Sequence, residues 1–275
     1  MTIAIAPSRR LGRPVTRTLR YVAIGVAAAL AAGASWLAVG DDADQGALVL
    51  ALATYGITTS DDGTVLAITP SGPDRVDVGI VFIPGTRIAR EAYVATWAPI
   101  VEATGVAVHI PAVPLNLPAL AGDPIGDIIA ANPGIPTWIV GGHSMGGFEA
   151  AAYTAATDER PAGLLLWGSG PARTDLSEVA LPTLLVAGEA DSVLPLDRAL
   201  REGSLPPGAT IEVVDGMTHG QFGRYGDEEV GDRGSGRSNA ETLDDLATAT
   251  AAFLRRVAPD RVFDALPAET APGGP

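Results

Sequence analysis

The chain has 275 residues, no cysteine and a formal net charge of −14. This length accommodates one sizeable domain and a short appendage, because single hydrophobic cores stop growing at about 250–300 residues. The missing cysteines exclude disulfides, thiolate metal sites and a cysteine nucleophile. The acidic charge argues against nucleic acid as a partner, since phosphate backbones require a basic surface.

The N-terminal 40 residues differ from the rest of the chain. Residues 1–20 contain five arginines and no acid, and residues 21–40 carry no charge. An apolar stretch of this length crosses a hydrocarbon layer of roughly 30 Å at about 1.5 Å per residue. Because the arginines precede the stretch and aspartates follow it, the positive-inside rule predicts a cytoplasmic N-terminus and an extracytoplasmic main domain.

Two interpretations of this stretch stay open. A transmembrane helix over residues 21–40 would hold the protein at a membrane. A cleaved secretory signal, for which the small residues at 38–40 are suitable, would instead release the protein outside the cell. In both cases residues 41–63 form a connecting segment. Its apolar run at 47–57 is too short to span a bilayer and is expected to lie as a helix or strand against the domain.

From residue 64 to residue 257, short apolar runs alternate with longer helical ones. The short runs predict strands at residues 64–68, 78–83, 106–110, 137–140, 163–167, 183–187 and 210–214. Helical spacing predicts helices at residues 91–103, 126–131, 145–156, 196–202 and 239–257. The pattern indicates an α/β domain, with a mostly parallel sheet and helices on both faces.

Two segments lie outside this alternation. Residues 216–237 form a long loop rich in glycine and charge, and a loop of this length is more often functional than idle. Residues 258–275, rich in proline, alanine and glycine, are expected to form a disordered tail.

The most informative motif is Gly142-His143-Ser144-Met145-Gly146. It lies directly after a predicted strand and directly before a predicted helix, where a tight turn presents a serine hydroxyl above the sheet. Glycines two residues to either side let the strand and helix backbones approach closely, and a side chain at either place would clash. The motif predicts Ser144 as a nucleophile.

A serine hydroxyl needs a base to take its proton, so the hypothesis requires a histidine later in the chain. The chain has three histidines. His143 lies inside the turn and is expected to pack, pointing away from the chemistry of its neighbour, and His109 ends an early strand. His219 follows the last predicted strand and opens the long loop, so it is the expected base.

The acid that orients the base must fall between nucleophile and base, after the penultimate strand. Asp191 is the first choice, because it clears the strand end and precedes a turn at residues 192–195. Glu189 is an open alternative. Asp215 is nearer to His219 in sequence, but an Asp-Gly pair is typical of a turn.

Two backbone N–H groups should stabilise the developing oxyanion, each contributing roughly 3 kcal/mol in comparable sites. One is the N–H of Met145, directly after the nucleophile and at the start of a helix. The second is expected from the turn after the strand at 78–83, with the N–H of Thr86 as the candidate. A plain turn at this Pro-Gly pair is the alternative.

With nucleophile, acid and base in this order, residues 64–257 resemble the α/β-hydrolase superfamily. Within it the chain is similar to the compact, lidless bacterial branch related to dienelactone hydrolases, which carry a cysteine where this chain has Ser144. The narrower resemblance rests on Phe82-Ile83-Pro84-Gly85, Tyr93, Pro114-Leu115-Asn116-Leu117 and His219-Gly220-Gln221-Phe222-Gly223-Arg224-Tyr225-Gly226. The resemblance implies cleavage of an ester, lactone or thioester of a small acyl compound, without metal or organic cofactor.

The leading hypothesis is an extracytoplasmic serine esterase that forms an acyl-enzyme on Ser144. An acyltransferase of the same fold would pass the acyl group to an alcohol instead of water. A non-catalytic, membrane-tethered interaction domain would keep the fold without the activity. Against this last alternative stands the complete set of three residue types in the family's order.

Overall fold

The computed structural model describes residues 13–72, 77–201, 203–225, 234 and 236–259. Parts of four predicted segments lie outside the described residues. These parts are residues 1–12 of the arginine-rich segment, residue 202 of the helix predicted at 196–202, residues 226–233 and 235 of the long loop, and residues 260–275 of the tail.

The described residues form helices that alternate with strands along most of the chain. The helices are α1 (Arg13–Val39), α2 (Gln45–Thr54), α3 (Val94–Thr104), α4 (Pro124–Ala131), α5 (Met145–Ala156), α6 (Leu196–Ala199) and α7 (Asn239–Val257). The strands are β1 (Ile57–Asp61), β2 (Val65–Pro70), β3 (Val78–Ile83), β4 (Ala107–Pro111), β5 (Thr137–His143), β6 (Gly163–Trp167), β7 (Thr183–Gly188) and β8 (Thr210–Val214). Short 3-10 helices lie at Arg90–Tyr93, Pro114–Asn116, Pro118–Leu120 and His219–Phe222.

The strands form one sheet in the order β1-β2-β4-β3-β5-β6-β7-β8. Strands β1 and β2 pair antiparallel, as do β2 and β4, and every pair from β4 to β8 is parallel. Strands β3, β4, β6 and β7 are buried along their whole length, which explains their continuous apolar sequences. The predicted, mostly parallel sheet is confirmed.

Helices cover both faces of this sheet. In β3, Ile80 and Phe82 belong to one hydrophobic cluster, which includes Trp97 of α3 and residues of α7. Val81 and Ile83 of the same strand belong to the other cluster, on the side of α4 and α5. Successive side chains of a strand point to opposite faces, so one buried strand contributes to both layers.

The segment between α1 and residue 64 contributes a helix and a strand to the domain. The predicted apolar run folds as α2, which packs against α3. Strand β1 pairs with β2, with Ile57 opposite Pro70. No strand was predicted here, because only Ile57 of Ile57–Asp61 is buried and the other four residues are polar and exposed.

The N-terminal helix α1 covers nearly all of the stretch at residues 21–40. The part of the chain that the structure describes includes no helix that combines the length and the hydropathy needed to span a bilayer. The transmembrane assignment of residues 21–40 therefore stays a prediction.

Candidate active site

Ser144 lies on the predicted turn between β5 and α5. Its backbone has φ +53° and ψ −122°, a conformation that is strained for a residue with a side chain. The Ser144 N–H donates to the Trp167 carbonyl at 3.0 Å, and the Ser144 carbonyl accepts from the Ser169 hydroxyl at 2.7 Å. Contacts with β6 and the loop after it therefore hold the serine in its strained turn.

The glycines of the motif have no room for a side chain. A Cβ atom on Gly142 would meet the backbone of Gly146, and one on Gly146 would meet the carbonyl oxygens of Ile83 and Pro84. The predicted clash is confirmed at both positions. The backbone at the start of α5 therefore packs closely against the end of β3.

His219 and Asp191 meet beyond the carboxyl ends of β8 and β7. Nδ1 of His219 lies 2.7 Å from Oδ2 of Asp191, and the two side chains are only 5% and 1% exposed. The other carboxylate oxygen, Oδ1, accepts the N–H groups of Val193 at 3.0 Å and Leu194 at 2.7 Å. An ionised carboxylate can only accept, so Nδ1 of the ring donates, and in the neutral ring Nε2 is then the acceptor.

The alternative acids lie elsewhere. Glu189 is exposed, and its Oε2 accepts the N–H of Gly216 at 2.9 Å. Asp215 lies in the predicted turn, followed by Gly216 with φ +63°. The structure brings Asp191, and not Glu189, to His219.

Local interactions fix the position of His219 at the start of a 3-10 helix. Thr218 caps this helix reciprocally with Gln221, whose Oε1 accepts the Thr218 N–H at 2.9 Å. Gly168, with φ +48°, lies against the imidazole, and a Cβ atom there would be 3.3 Å from its Nδ1 and 2.8 Å from the Phe222 ring. Nothing in the sequence around Gly168 indicates this contact.

His143 does not point away from the chemistry, and this part of the sequence interpretation is wrong. Its fully buried ring packs against the ring of His219, with centroids 4.6 Å apart. Burial lowers the pKa of His143 well below its ordinary value, and the charge of a protonated His219 lowers it further. A hydrogen bond to the His219 backbone raises the pKa, but by less than burial lowers it. A neutral His143 therefore packs against the ring of the candidate base His219. His109 packs with its ring 5.4 Å from that of Trp138.

The two candidate oxyanion donors come from adjacent loops. Met145 begins α5, Thr86 lies in the turn after β3, and the Thr86 hydroxyl donates to the Met145 sulfur at 3.3 Å. Among the hydrogen bonds of the described residues, the backbone N–H groups of these two residues have no partner. The structure thus brings the side chain of Thr86 to that of Met145, the residue that follows Ser144.

The family model for alpha/beta hydrolases matches residues 79–244. The chain belongs to the alpha/beta hydrolase family. The matched range contains Ser144, Asp191 and His219 together with both candidate oxyanion donors. The resemblance to the superfamily is confirmed, and the narrower resemblance to dienelactone hydrolases stays a prediction.

Solved structures share the fold of this hydrolase. TT1662 from Thermus thermophilus is 15% identical with a TM-score of 0.52, and the match covers 73% of this chain and 98% of TT1662. Est1E from Butyrivibrio proteoclasticus is 14% identical with a TM-score of 0.51, and the match covers 74% of this chain and 100% of Est1E. No curated protein sequence matches the chain.

Tyr93 connects the turn that carries Ser144 to the loop after β3, residues 84–89, here termed the oxyanion loop for its candidate donor Thr86. The Tyr93 hydroxyl accepts the N–H of Gly85 at 2.8 Å and lies 3.0 Å from Nδ1 of His143. A hydroxyl that accepts from an N–H still has its own proton, and Nδ1 of a neutral His143 can accept it. Tyr93 entered the sequence interpretation only through the family resemblance, without a role.

A cavity of about 900 Å³ lies away from this site, between β1, β2 and α4. Its lining includes Asp61 and His109 but none of Ser144, Asp191 or His219. No group of three histidine or acidic side chains that could ligate a metal occurs among the described residues of the hydrolase. Side-chain geometry, and not cavity size, locates the candidate site.

Proposed function

We propose that this hydrolase cleaves a carboxylic ester, lactone or thioester of a small acyl compound through an acyl-enzyme on Ser144. The observation that carries the proposal is the buried contact of 2.7 Å between His219 and Asp191. A carboxylate that is held by two backbone N–H groups and by the imidazole fixes one tautomer of the ring, as the serine mechanism requires. The sequence motifs that resemble those of dienelactone hydrolases support the placement of this hydrolase in a related branch that carries a serine nucleophile.

In the proposed reaction, Nε2 of His219 takes the Ser144 proton while Oγ attacks the acyl carbonyl. The N–H groups of Met145 and Thr86 bind the oxyanion of the tetrahedral intermediate. His219 then gives its proton to the leaving alcohol or thiol. In the second half of the reaction His219 takes a proton from water, which attacks the acyl-enzyme, and returns that proton to Ser144 as the acid is released. Asp191 stays ionised and stabilises the imidazolium.

Labelling with a fluorophosphonate probe tests this proposal. We expect the folded protein to react at Ser144, because the probe phosphonylates only an activated serine. The variant Ser144→Ala should not be labelled, and the matched control Ser60→Ala, at an exposed serine of β1, should be labelled like the wild type. Mass spectrometry of the labelled peptide identifies the serine. An unlabelled wild type that remains folded would favour the interaction domain instead.

We also propose that α1 holds the hydrolase at a membrane with its catalytic domain extracytoplasmic. Support comes from the arginines before the apolar stretch and from apolar side chains of α1 that are 54–70% exposed, namely Tyr21, Val22, Ile24, Val26 and Leu30. We expect the full chain to stay in the membrane fraction after an alkaline carbonate wash. A soluble protein whose N-terminus lies near residue 40 would instead identify a cleaved signal.

A further inference from the structure

Residues 40–44, here termed the strap, continue from α1 and run past the oxyanion loop. The Asp41 N–H donates to the Arg87 carbonyl at 2.5 Å, and the Asp41 carbonyl accepts the Ala89 N–H at 3.0 Å. Arg87 directly follows the candidate donor Thr86. One end of the strap is therefore bonded to the backbone within one residue of the proposed oxyanion site.

The other end of the strap is bonded to the loop that carries His219. The Asp44 N–H donates to the Arg224 carbonyl at 2.8 Å. Ala43 forms an antiparallel bridge with Tyr225, and both residues are buried, at 8% and 7% exposure. The strap thus joins the loop that carries His219, residues 219–225 and here termed the base loop, to the oxyanion loop through backbone hydrogen bonds.

The approach of the strap to the oxyanion loop leaves no space for a side chain. Gly40 has φ +49°, and a Cβ atom there would lie 2.5 Å from Nδ2 of Asn116 and 2.9 Å from the Arg87 carbonyl oxygen. Arg87 is itself in the left-handed region, with φ +64°, and its N–H donates to the Asn116 carbonyl at 2.7 Å. A small displacement of the strap therefore has to move Arg87.

We propose that the strap is a positioning element of the active site, which holds the oxyanion loop and the base loop at their working separation. The inference rests on the proposed serine mechanism for what these loops do. The strap lies outside the range matched by the family, so turnover depends on residues that precede the family domain. If a signal were cleaved at residues 38–40, the mature protein would still contain Asp41, Ala43 and Asp44, which form these contacts.

The oxyanion side is tested in the full chain with Gly40→Ala against Gly33→Ala, since a Cβ atom on Gly33 meets nothing within 4 Å. Titration with the fluorophosphonate gives the concentration of active sites, and nitrophenyl acetate gives kcat and KM. We expect kcat per titrated site to fall about tenfold in Gly40→Ala with KM within about twofold, because a displaced donor weakens transition-state binding more than substrate binding. Gly33→Ala should match the wild type.

The base side is tested with Asp44→Pro against Asp44→Ala. Both variants lose the carboxylate that accepts the Ala47 N–H and faces Arg224, but only proline also removes the backbone donor. The φ of −61° at Asp44 suits proline, so the comparison isolates the hydrogen bond to Arg224. We expect kcat per titrated site in Asp44→Pro to be about fivefold below that of Asp44→Ala.

Equal kcat per titrated site within both pairs would overturn the proposal and leave the strap with a packing role only. Amide hydrogen exchange provides a readout that needs no turnover. Residues 85–89 and 219–225 should exchange faster in Gly40→Ala than in Gly33→Ala, and equal exchange would contradict the proposal. If the wild type does not react with the fluorophosphonate, the serine mechanism fails, whereas the exchange comparison still decides whether the strap holds the loops.

Discussion

Replacing Asp191 by asparagine is expected to lower kcat about 10⁴-fold, as in comparable triads, while KM and the fold stay close to the wild type. Oδ1 of Asp191 accepts two backbone N–H groups, from Val193 and Leu194, so the amide oxygen of an asparagine must take that position. Its NH₂ group then faces Nδ1 of His219. The ring is forced into the tautomer with the proton on Nε2, which cannot accept the proton of Ser144.

The kinetics of nitrophenyl acetate hydrolysis measure this loss, and Glu189→Gln is the matched control. Glu189 is exposed, and among the described residues its carboxylate accepts from the N–H of Gly216 alone, so its neutralisation should change kcat by no more than about twofold. A loss in Glu189→Gln comparable to that expected of Asp191→Asn would identify Glu189 as the acid. Full activity in Asp191→Asn would refute the proposed orientation of His219.

Strands that are buried on both faces could be predicted closely from the sequence. The predicted bounds of the buried strands β3 and β6 agree with the structure, as do those of β8, which is mostly exposed, and of helices α5 and α7. Strand β5 runs on to His143, because the glycines after Val140 adopt extended backbone although their composition indicates a turn. Strand β1 was missed, because a polar edge strand is stabilised by its hydrogen bonds to β2 and has no apolar pattern of its own.

The candidate site was predictable to the extent that it follows chain order. Ser144, Asp191 and His219 follow the parallel strands β5, β7 and β8, and parallel strands present their carboxyl ends at one edge of the sheet. The support of the site was not predictable, because it depends on backbone segments that meet across the fold. The contact of His143 with His219 and the bonds of Asp41 to the oxyanion loop have no local sequence pattern.

Gly146→Ala is expected to lower the free energy of unfolding by about 3 kcal/mol, despite the better helix propensity of alanine. The added methyl group would meet the carbonyl oxygens of Ile83 and Pro84, and backbone atoms cannot rotate away as a side chain can. Helix α5 must therefore shift from the end of β3, which also separates Met145 from Thr86 and lowers the reactivity of Ser144 toward the fluorophosphonate.

Urea unfolding of the wild type and two variants measures this cost. Gly134→Ala is the control, because a Cβ atom there meets nothing within 4 Å, and its free energy of unfolding should stay within about 1 kcal/mol of the wild type. Both candidate oxyanion donors depend on the close approach of α5 to β3, since one begins the helix and the other follows the strand. Equal stability of Gly146→Ala and Gly134→Ala would show that the contact between α5 and β3 can accommodate a methyl group. The close approach of these two elements would then not explain how the two candidate oxyanion donors are positioned.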